Sequence, residues 1–154
     1  MSKSMARVAD AIERCGLDAR IIEPGPSRTA AEAATACGCE IDQIVKSLIF
    51  QGESGRIYLF LTAGGQRLDA ARAAAVAGET LGRADADTVR RETGFAIGGV
   101  APLGHKGAPR IFADRRLADF AQVFAAAGTP RHVFAAEPRA LIDACGAEWA
   151  DFTA

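Results

Sequence analysis

The stretch Ile44-Val45-Lys46-Ser47-Leu48-Ile49-Phe50 predicts a β-strand with a lysine in its middle. Residues alternate between the two faces of a strand, and both faces here are mostly apolar. We therefore expect a strand that is buried on both sides of a sheet. A lysine is rarely buried without a partner, because an ammonium is costly to remove from water. Lys46 is either a cation held for a ligand or a side chain whose ammonium reaches the rim of the sheet.

Helical and strand patterns follow one another around this strand without strict alternation. The mixture favours an α+β arrangement, a mixed sheet with helices packed against it, over a doubly wound parallel sheet. The lysine strand and the strand after it should pair as a hairpin. We expect helices over 5–15, 30–37, 68–76, 86–93 and 138–145, helical turns over 41–43 and 115–120, and strands over 19–23, 44–50, 56–62, 110–113, 121–126, 131–135 and 148–152.

The totals fit one domain that spans residues 1–154. Hydrophobic residues make up 49% and charged residues 24% of the chain, an ordinary globular balance. The net charge of -1 argues against a strongly basic surface for nucleic acid. No apolar run suits export or a membrane span, so we expect a cytoplasmic protein with no membrane partner. The four cysteines lack paired zinc spacing, and no metal or cofactor is expected.

A glycine loop, Gly98-Gly99-Val100-Ala101-Pro102, is the more specific signal. Two glycines free the backbone and allow a ligand to approach the main-chain amides, and the proline then fixes the exit angle. Successive exposed amides can bind an anion or a developing oxyanion. The same pattern also suits a plain turn between a helix and a strand. It matches neither a Walker motif nor a dinucleotide fingerprint.

Three polar residues near these stretches allow a structural and a functional interpretation. His105 follows the glycine loop and suits a general base or a brace for the loop, and we favour the brace. Asp114 follows a predicted strand and could face a cleft or cap the next turn. Thr29 begins a capping box in which Glu32 is expected to reach back to the threonine amide.

Together these residues resemble the YbaK/ProX family, the domain that also occurs inserted in bacterial prolyl-tRNA synthetases. The resemblance runs from about Thr29 to Phe152. It is carried by three stretches in order: 29–48, which ends in the lysine strand; 93–105, which contains the glycine loop; and 111–114. Each stretch alone is weak, and their order and spacing make the combination specific.

The resemblance implies an editing enzyme that acts in trans and hydrolyses the ester of a wrongly charged tRNA, with tRNA(Pro) carrying alanine, cysteine or another small amino acid as the expected substrate. The family fold is a barrel-like mixed sheet flanked by helices. The partners implied are the acceptor 3′ end of aminoacyl-tRNA and, as a candidate, prolyl-tRNA synthetase. The residues implied are Lys46, Gly98 and Gly99 for catalysis and Thr29, Val100, Ala101, Pro102, His105 and Asp114 for substrate binding.

The chemistry suits these parts. Lys46 can hold a phosphate or carbonyl oxygen, and the amides of the glycine loop can bind the tetrahedral oxyanion. Attack by water, helped by the 2′-hydroxyl of the substrate, needs no protein nucleophile. This agrees with a sequence that shows no nucleophile motif.

The sequence also departs from other members of the family. His105 stands where they carry glutamine, and the stretch 24–27 before the capping box has no aromatic residue. The amino acid removed therefore stays open among alanine, cysteine, serine, threonine and others. Two other functions also stay open: a non-catalytic module that binds nucleic acid, and a small-molecule esterase that uses the same loop. Sequence-specific DNA binding is not expected, since no recognition-helix pattern is present.

Overall fold

A mixed sheet of eight strands carries the fold, and the lysine strand lies near its middle. The structure is a computed structural model, and it describes residues 2–154. The strands are β1 (Arg20–Ile22), β2 (Ile44–Gly52), β3 (Ile57–Ala63), β4 (Leu81–Arg83), β5 (Arg110–Asp114), β6 (Val123–Ala126), β7 (Val133–Ala136) and β8 (Glu148–Ala150). The helices are α1 (Lys3–Arg14), α2 (Ala30–Cys37), α3 (Ala70–Ala77), α4 (Ala86–Thr93) and α5 (Pro138–Cys145), with short 3-10 helices over Ile41–Gln43 and Arg115–Asp119.

The strands lie in the order β1-β7-β6-β2-β3-β5-β8, and β4 pairs with the far end of β2. The predicted hairpin is confirmed: β2 and β3 are antiparallel, with Lys46 opposite Thr62. Parallel pairs join β2 to β6, β3 to β5 and β5 to β8. The mixed sheet with flanking helices confirms the predicted fold class. Among residues 2–154, none of the helices combines the length and the apolar character that crossing a bilayer requires.

Two expectations about the strands were wrong. Strand β4 was not predicted, because three residues with a glycine in the middle carry almost no strand pattern. Strand β2 was predicted to be buried on both faces, whereas residues 46–51 are only half-buried. The next strand, β3, is the one that is buried along its whole length. The physical reason is that β2 lies beside open clefts on one edge, while both edges of β3 are paired.

Capping follows the sequence closely. Thr29 caps α2, and its hydroxyl accepts a hydrogen bond of 3.1 Å from the amide of Glu32. The Glu32 carboxylate accepts from the amide of Arg28, at 3.0 Å, and so reaches one residue further back than predicted. Gly38 ends the helix in the left-handed region, where glycine carries no steric penalty. The cap fixes the start of α2 close to the lysine strand.

Apolar side chains pack on both faces of the sheet. Val45 and Ile49 of β2 belong to the larger cluster, which contains α1 and α5, and Leu48 and Phe50 belong to a second cluster on the opposite face. This alternation is what the sequence predicts for the strand. In the second cluster the fully buried ring of Phe60 contacts three other phenylalanine rings.

Truncation of Phe60 tests the second cluster. We expect Phe60→Ala to lower the free energy of unfolding by about 3 to 5 kcal/mol, because the loss of the ring leaves a cavity among aromatic neighbours. Urea denaturation followed by circular dichroism measures the change. Ile97→Ala, at a position that is 62% exposed, is the control and should change it by less than about 1 kcal/mol. Equal effects of the two variants would contradict the packing described.

Candidate functional site

A cleft of about 350 Å³ opens beside β2. Its walls come from the start of α2, the middle of β2, the glycine loop and the turn between β6 and β7. The walls are mostly apolar, with a few polar groups between them. The lining residues are Ser27, Arg28, Thr29, Ala30, Ala33, Ile44, Val45, Lys46, Ser47, Leu48, Gly98, Val100, Phe124, Ala126, Thr129, Pro130, His132 and Val133.

Lys46 is the half-buried cation of this cleft, whose lining also includes the exposed Arg28. Its Nζ donates a hydrogen bond of 2.7 Å to the carbonyl oxygen of Gln66, just after β3. An ammonium has three donors, so two of them stay available for a ligand. Within residues 2–154 no carboxylate lies at ion-pair distance from this nitrogen. Lys46 is therefore a partly buried cation that a neutral carbonyl holds in place.

A polar network fixes the carbonyl that holds Lys46. The side chain of Gln66 donates to Asp42, at 3.1 Å, and the amide of Gly65 donates to the other oxygen of Asp42, at 2.7 Å. Arg116 completes the network, since its Nε donates to Asp42 at 2.9 Å. The segment that carries the Gln66 carbonyl is thus tied at two points to one largely buried carboxylate. Asp42 and Arg116 position Lys46 without contacting it.

The charges of the network act on Lys46 in opposite directions. Burial lowers the pKa of Lys46, and the Arg67 charge lowers it as well, whereas Asp42 and Asp114 raise it. The net pKa is below the usual value for lysine. For Asp42, burial alone would raise the pKa, but hydrogen bonds from Arg116, Gly65 and Gln66 outweigh burial and lower it. Asp42 is therefore ionised at neutral pH and supports the cationic form of Lys46.

The glycine loop leaves main-chain donors free beside the cleft. The Gly99 amide donates to the Ala96 carbonyl, at 3.0 Å, in a tight turn. The amides of Gly98, Val100 and Ala101 have no hydrogen-bond partner in the part of the chain that the structure describes. Gly98 and Val100 line the cleft, whereas Gly99, Ala101 and Pro102 lie behind this lining. Unpaired amides next to a cavity suit an oxygen that carries or develops negative charge.

The two glycines of the loop are needed for different reasons. Gly98 has a φ of +92°, which disfavours any residue with a Cβ, although space for a Cβ is open. Gly99 is instead packed against the backbone of Thr129, where an added Cβ would lie 3.0 Å from the Cα atom. Gly98 thus sets the path of the loop, and Gly99 lets the loop lie close to the turn after β6.

His105 braces the loop from behind the cleft. Its Nε2 lies 2.7 Å from the carbonyl oxygen of Ala101, and because a carbonyl only accepts, Nε2 carries the proton. The ring packs edge-on against the fully buried Phe95. Burial lowers the pKa of His105, and the hydrogen bond to Ala101 opposes this change. The position favours the structural interpretation, and a role for His105 in substrate binding stays a prediction.

Asp114 also lies outside the cleft lining. It is 5% exposed, and its two oxygens accept hydrogen bonds from the amides of Ala63, at 3.1 Å, and Arg116, at 3.0 Å. The carboxylate thus caps the short helix after β5 and joins it to the end of β3. Its effect on the cleft is electrostatic, through Lys46. Thr29, by contrast, lines the cleft and caps α2 at once.

A polar pair that was not predicted from the sequence lies on another wall of the cleft. Thr129 and His132 both line the cleft, and the Thr129 hydroxyl lies 2.7 Å from Nδ1 of His132. Nε2 of His132 lies 3.5 Å from a carboxylate oxygen of Glu23. The hydroxyl and the imidazole come from the same turn between β6 and β7. The Gly-Thr-Pro sequence of this turn predicts a break between two strands but no functional residue. Contact with Glu23 arises from the pairing of β1 with β7, which no local pattern announces.

The arrangement combines a cation, free amides and apolar walls in one cavity. The cation and the amides suit a ligand with anionic oxygens or with a carbonyl that gains negative charge. The apolar walls suit a small side chain next to them. The cleft therefore suits a ligand in which a polarised carbonyl lies next to a small apolar group.

Comparisons with known proteins agree on one family. The model of a family described as the aminoacyl-tRNA editing domain matches residues 24–144. The uncharacterized protein YwhH of Bacillus subtilis (strain 168) is 31% identical over 115 residues, which cover 75% of this chain and 73% of that protein. The similarity therefore covers most of both chains and not only the residues that line the cleft.

Solved structures show the same fold. The crystal structure of a candidate trans-editing enzyme for prolyl tRNA synthetase is 44% identical and superposes with a TM-score of 0.92, covering 100% of this chain and 99% of that chain. The crystal structure of the hypothetical protein APE2540 is 32% identical, with a TM-score of 0.88 and coverage of 96% and 99%.

Replacement of Asp42 tests the support of Lys46. We expect Asp42→Asn to lower the pKa of Lys46 further, because it removes a charge that raises this pKa while Arg67 and Asp114 are unchanged. Titration of the Lys46 side chain by NMR measures the change. Asp119→Asn is the matched control, since Asp119 contacts the same Arg116 but not Gln66, and the pKa should stay. An unchanged pKa in Asp42→Asn would contradict the role of the network.

Proposed function

Since the chain belongs to the family of aminoacyl-tRNA editing domains, we propose that it is an aminoacyl-tRNA deacylase that acts in trans. The substrate is a tRNA whose 3′ end carries the wrong amino acid, and the reaction is hydrolysis of the ester. The observation that carries the proposal is that one cleft holds both an ammonium and loop amides that, among residues 2–154, have no carboxylate partner and no hydrogen-bond partner, respectively. An ester carbonyl needs such donors when it becomes tetrahedral.

Each part of the cleft has a role in this reaction. Lys46 anchors an oxygen of the substrate, either the carbonyl or the terminal phosphate. The amides of Gly98 and Val100, the two loop residues that line the cleft, stabilise the oxyanion, and each well-placed donor contributes about 3 to 4 kcal/mol. Water attacks the carbonyl carbon with help from the 2′-hydroxyl of the substrate. The ester bond then breaks, and the proton goes to the leaving ribose oxygen.

The size of the cleft bears on which amino acid is removed. The side chain of the substrate would lie against the apolar residues Ala33, Ile44 and Phe124, which line the cleft. Thr129 and His132 add a polar wall that can contact a hydroxyl or a thiol. These features support alanine, cysteine, serine or threonine as the amino acid. The name of the structural relative supports tRNA(Pro) as the tRNA and prolyl-tRNA synthetase as the partner.

A deacylation panel tests the function. Purified protein is offered tRNA(Pro) charged with alanine, cysteine, serine, threonine or proline, and release of the amino acid is followed. We expect release of one non-proline amino acid. Lys46→Ala should lower the rate by about 100-fold or more, because it removes the cation that holds the substrate.

Lys106→Ala is the matched control, since Lys106 is an exposed lysine close to the loop in sequence but outside the cleft lining. It should keep the wild-type rate. Full activity of Lys46→Ala would contradict the role of Lys46. If none of the charged tRNAs is hydrolysed but one binds tightly, the protein is a binding module and not a deacylase of this panel.

Gly98→Ala tests the loop separately from the cation. We expect a loss of about 100-fold in rate, because a Cβ strains the φ of Gly98, and a loop that relaxes this strain turns its amides away from the oxyanion. The fold should survive, at a cost of about 1 to 2 kcal/mol for a left-handed residue. Deacylation rates and urea denaturation measure the two effects.

Gly16→Ala is the matched control, because Gly16 also has a positive φ, of +64°, and open space around it. It lies after α1 and lines neither part of the cleft. It should lose similar stability and no activity. Loss of activity in both variants would show that the effect of Gly98→Ala comes from stability alone.

A further inference from the structure

Helix α1 packs against two segments of the cleft without lining it. One segment is the chain from Gly94 to Gly104, which carries the glycine loop, and the other is the turn between β6 and β7. Among residues 2–154, those that line the cleft all come from other elements. The helix thus supports the cleft from outside.

Arg7 of this helix contacts both ends of the segment that carries the glycine loop. Its guanidinium donates a hydrogen bond to the carbonyl oxygen of Gly94 and lies over the ring of Phe95, with Cζ 5.1 Å from the ring centroid. Its main chain lies against Gly104, where an added Cβ would be 3.0 Å from the Arg7 carbonyl oxygen. The segment therefore begins and ends at one residue of α1.

The guanidinium of Arg7 takes this position although one of its donors stays unpaired. Its Nε is buried and has no hydrogen-bond partner in the part of the chain that the structure describes. A buried donor without a partner lowers stability, and such groups are rare in native proteins. A side chain that served stability alone would avoid this cost, so the position of Arg7 indicates a further role.

A chain of contacts leads from Arg7 to the glycine loop. The Phe95 ring under the guanidinium is fully buried and packs edge-on against His105. His105 in turn holds the carbonyl of Ala101, at 2.7 Å. Ala101 follows Val100, which lines the cleft and whose amide has no hydrogen-bond partner among residues 2–154. Arg7 thus acts on the loop from the side that faces away from the cleft.

One turn before Arg7, the helix supports the second segment. Gly128 has a φ of +93° and lies against the main chain of Ser4, where an added Cβ would be 2.8 Å from the carbonyl oxygen. The next residue, Thr129, lines the cleft and packs against Gly99 of the glycine loop. The first two turns of α1 therefore hold both segments, and the two segments contact each other.

We propose that Arg7 is a positioning residue that sets the direction of the Gly98 and Val100 amides for the deacylation reaction. This inference rests on the proposed function. A donor stabilises an oxyanion only where it points at the place that the oxygen takes in the transition state. A loop fixed at both ends holds its amides in that direction before the substrate arrives. Arg7 contacts no substrate, and Lys46 anchors the substrate without it, so Arg7 affects the rate of reaction more than binding.

The kinetics of Arg7→Met test this role. With the charged tRNA that the deacylation panel identifies, we expect kcat to fall by about tenfold and KM to change by less than about twofold, because displaced donors weaken only the transition state. Arg14→Met is the matched control, with the same substitution in the same helix at an arginine that pairs with Asp10 on the surface. It should keep both constants. Equal losses in the two variants would overturn the proposal.

Amide resonances test the role of Arg7 without any substrate. In ¹⁵N spectra of the folded proteins we expect shifts at Gly98 and Val100 in Arg7→Met and no shift at either residue in Arg14→Met. Urea denaturation gives the stability of each variant. A purely structural role would lower the midpoint of unfolding in Arg7→Met while the two resonances and kcat stay as in the wild type, and that result would overturn the proposal.

Arg7→Lys is a milder second variant that keeps the fold if Arg7→Met does not. A lysine keeps the charge but lacks the planar group that stacks on Phe95 while it donates to Gly94. We expect smaller changes in the same direction, in kcat and at the Gly98 amide. A folded Arg7→Lys with the kcat and the loop resonances of the wild type would overturn the proposal.

The two kinds of measurement separate this inference from the proposed function. If the wild type hydrolyses none of the charged tRNAs but Arg7→Met shifts the loop amides, the proposed function is refuted and the support of the loop by Arg7 stands. If the wild type hydrolyses one of them and Arg7→Met keeps its kcat, only the role of Arg7 is refuted.

Discussion

The structure depends on one constraint: an ammonium must stay charged in a partly buried cleft without a direct counterion. The hydrogen bond from Lys46 to the Gln66 carbonyl satisfies one donor and leaves the charge available. A carboxylate in contact would neutralise the cation and occupy its donors. Asp42 does not contact the Lys46 ammonium, and its oxygens accept hydrogen bonds from Arg116, Gly65 and Gln66 instead. The Lys46 ammonium thus keeps donors for a ligand, and its hydrogen bond to Gln66 offsets part of the cost of its burial.

The sheet provides the rest of the site by leaving a strand incomplete. A central strand is normally paired on both edges, and β2 is paired on both edges only at its ends. Gly98 and Val100 of the glycine loop line the cleft beside the open stretch, and their amides have no hydrogen-bond partner among residues 2–154. Free main-chain groups in a protein interior are costly unless a ligand or water satisfies them. Several such main-chain groups lie along one groove, which suits an extended ligand with several polar atoms.

Much of the fold and part of the site could be predicted from local patterns. The hairpin of β2 and β3 follows from strand alternation and the turn between them, and the caps at Thr29 and Gly38 follow from residue type. Lys46 and the loop from Gly98 were recognisable because a lysine in an apolar strand and paired glycines before a proline are both unusual. The positions of His105 and Asp114 were ambiguous, since a brace and a ligand contact use the same residue types.

What the sequence by itself determined was every helix, every strand except β4, the family resemblance and the two motifs of the cleft, because each depends on residues that are close along the chain. Only the tertiary structure decided which groups meet in space. The Asp42 network, the wall of Thr129 and His132, and the open stretch of β2 all depend on strand order. Strand order is set by how apolar faces pack over long separations, and a local pattern does not encode that information.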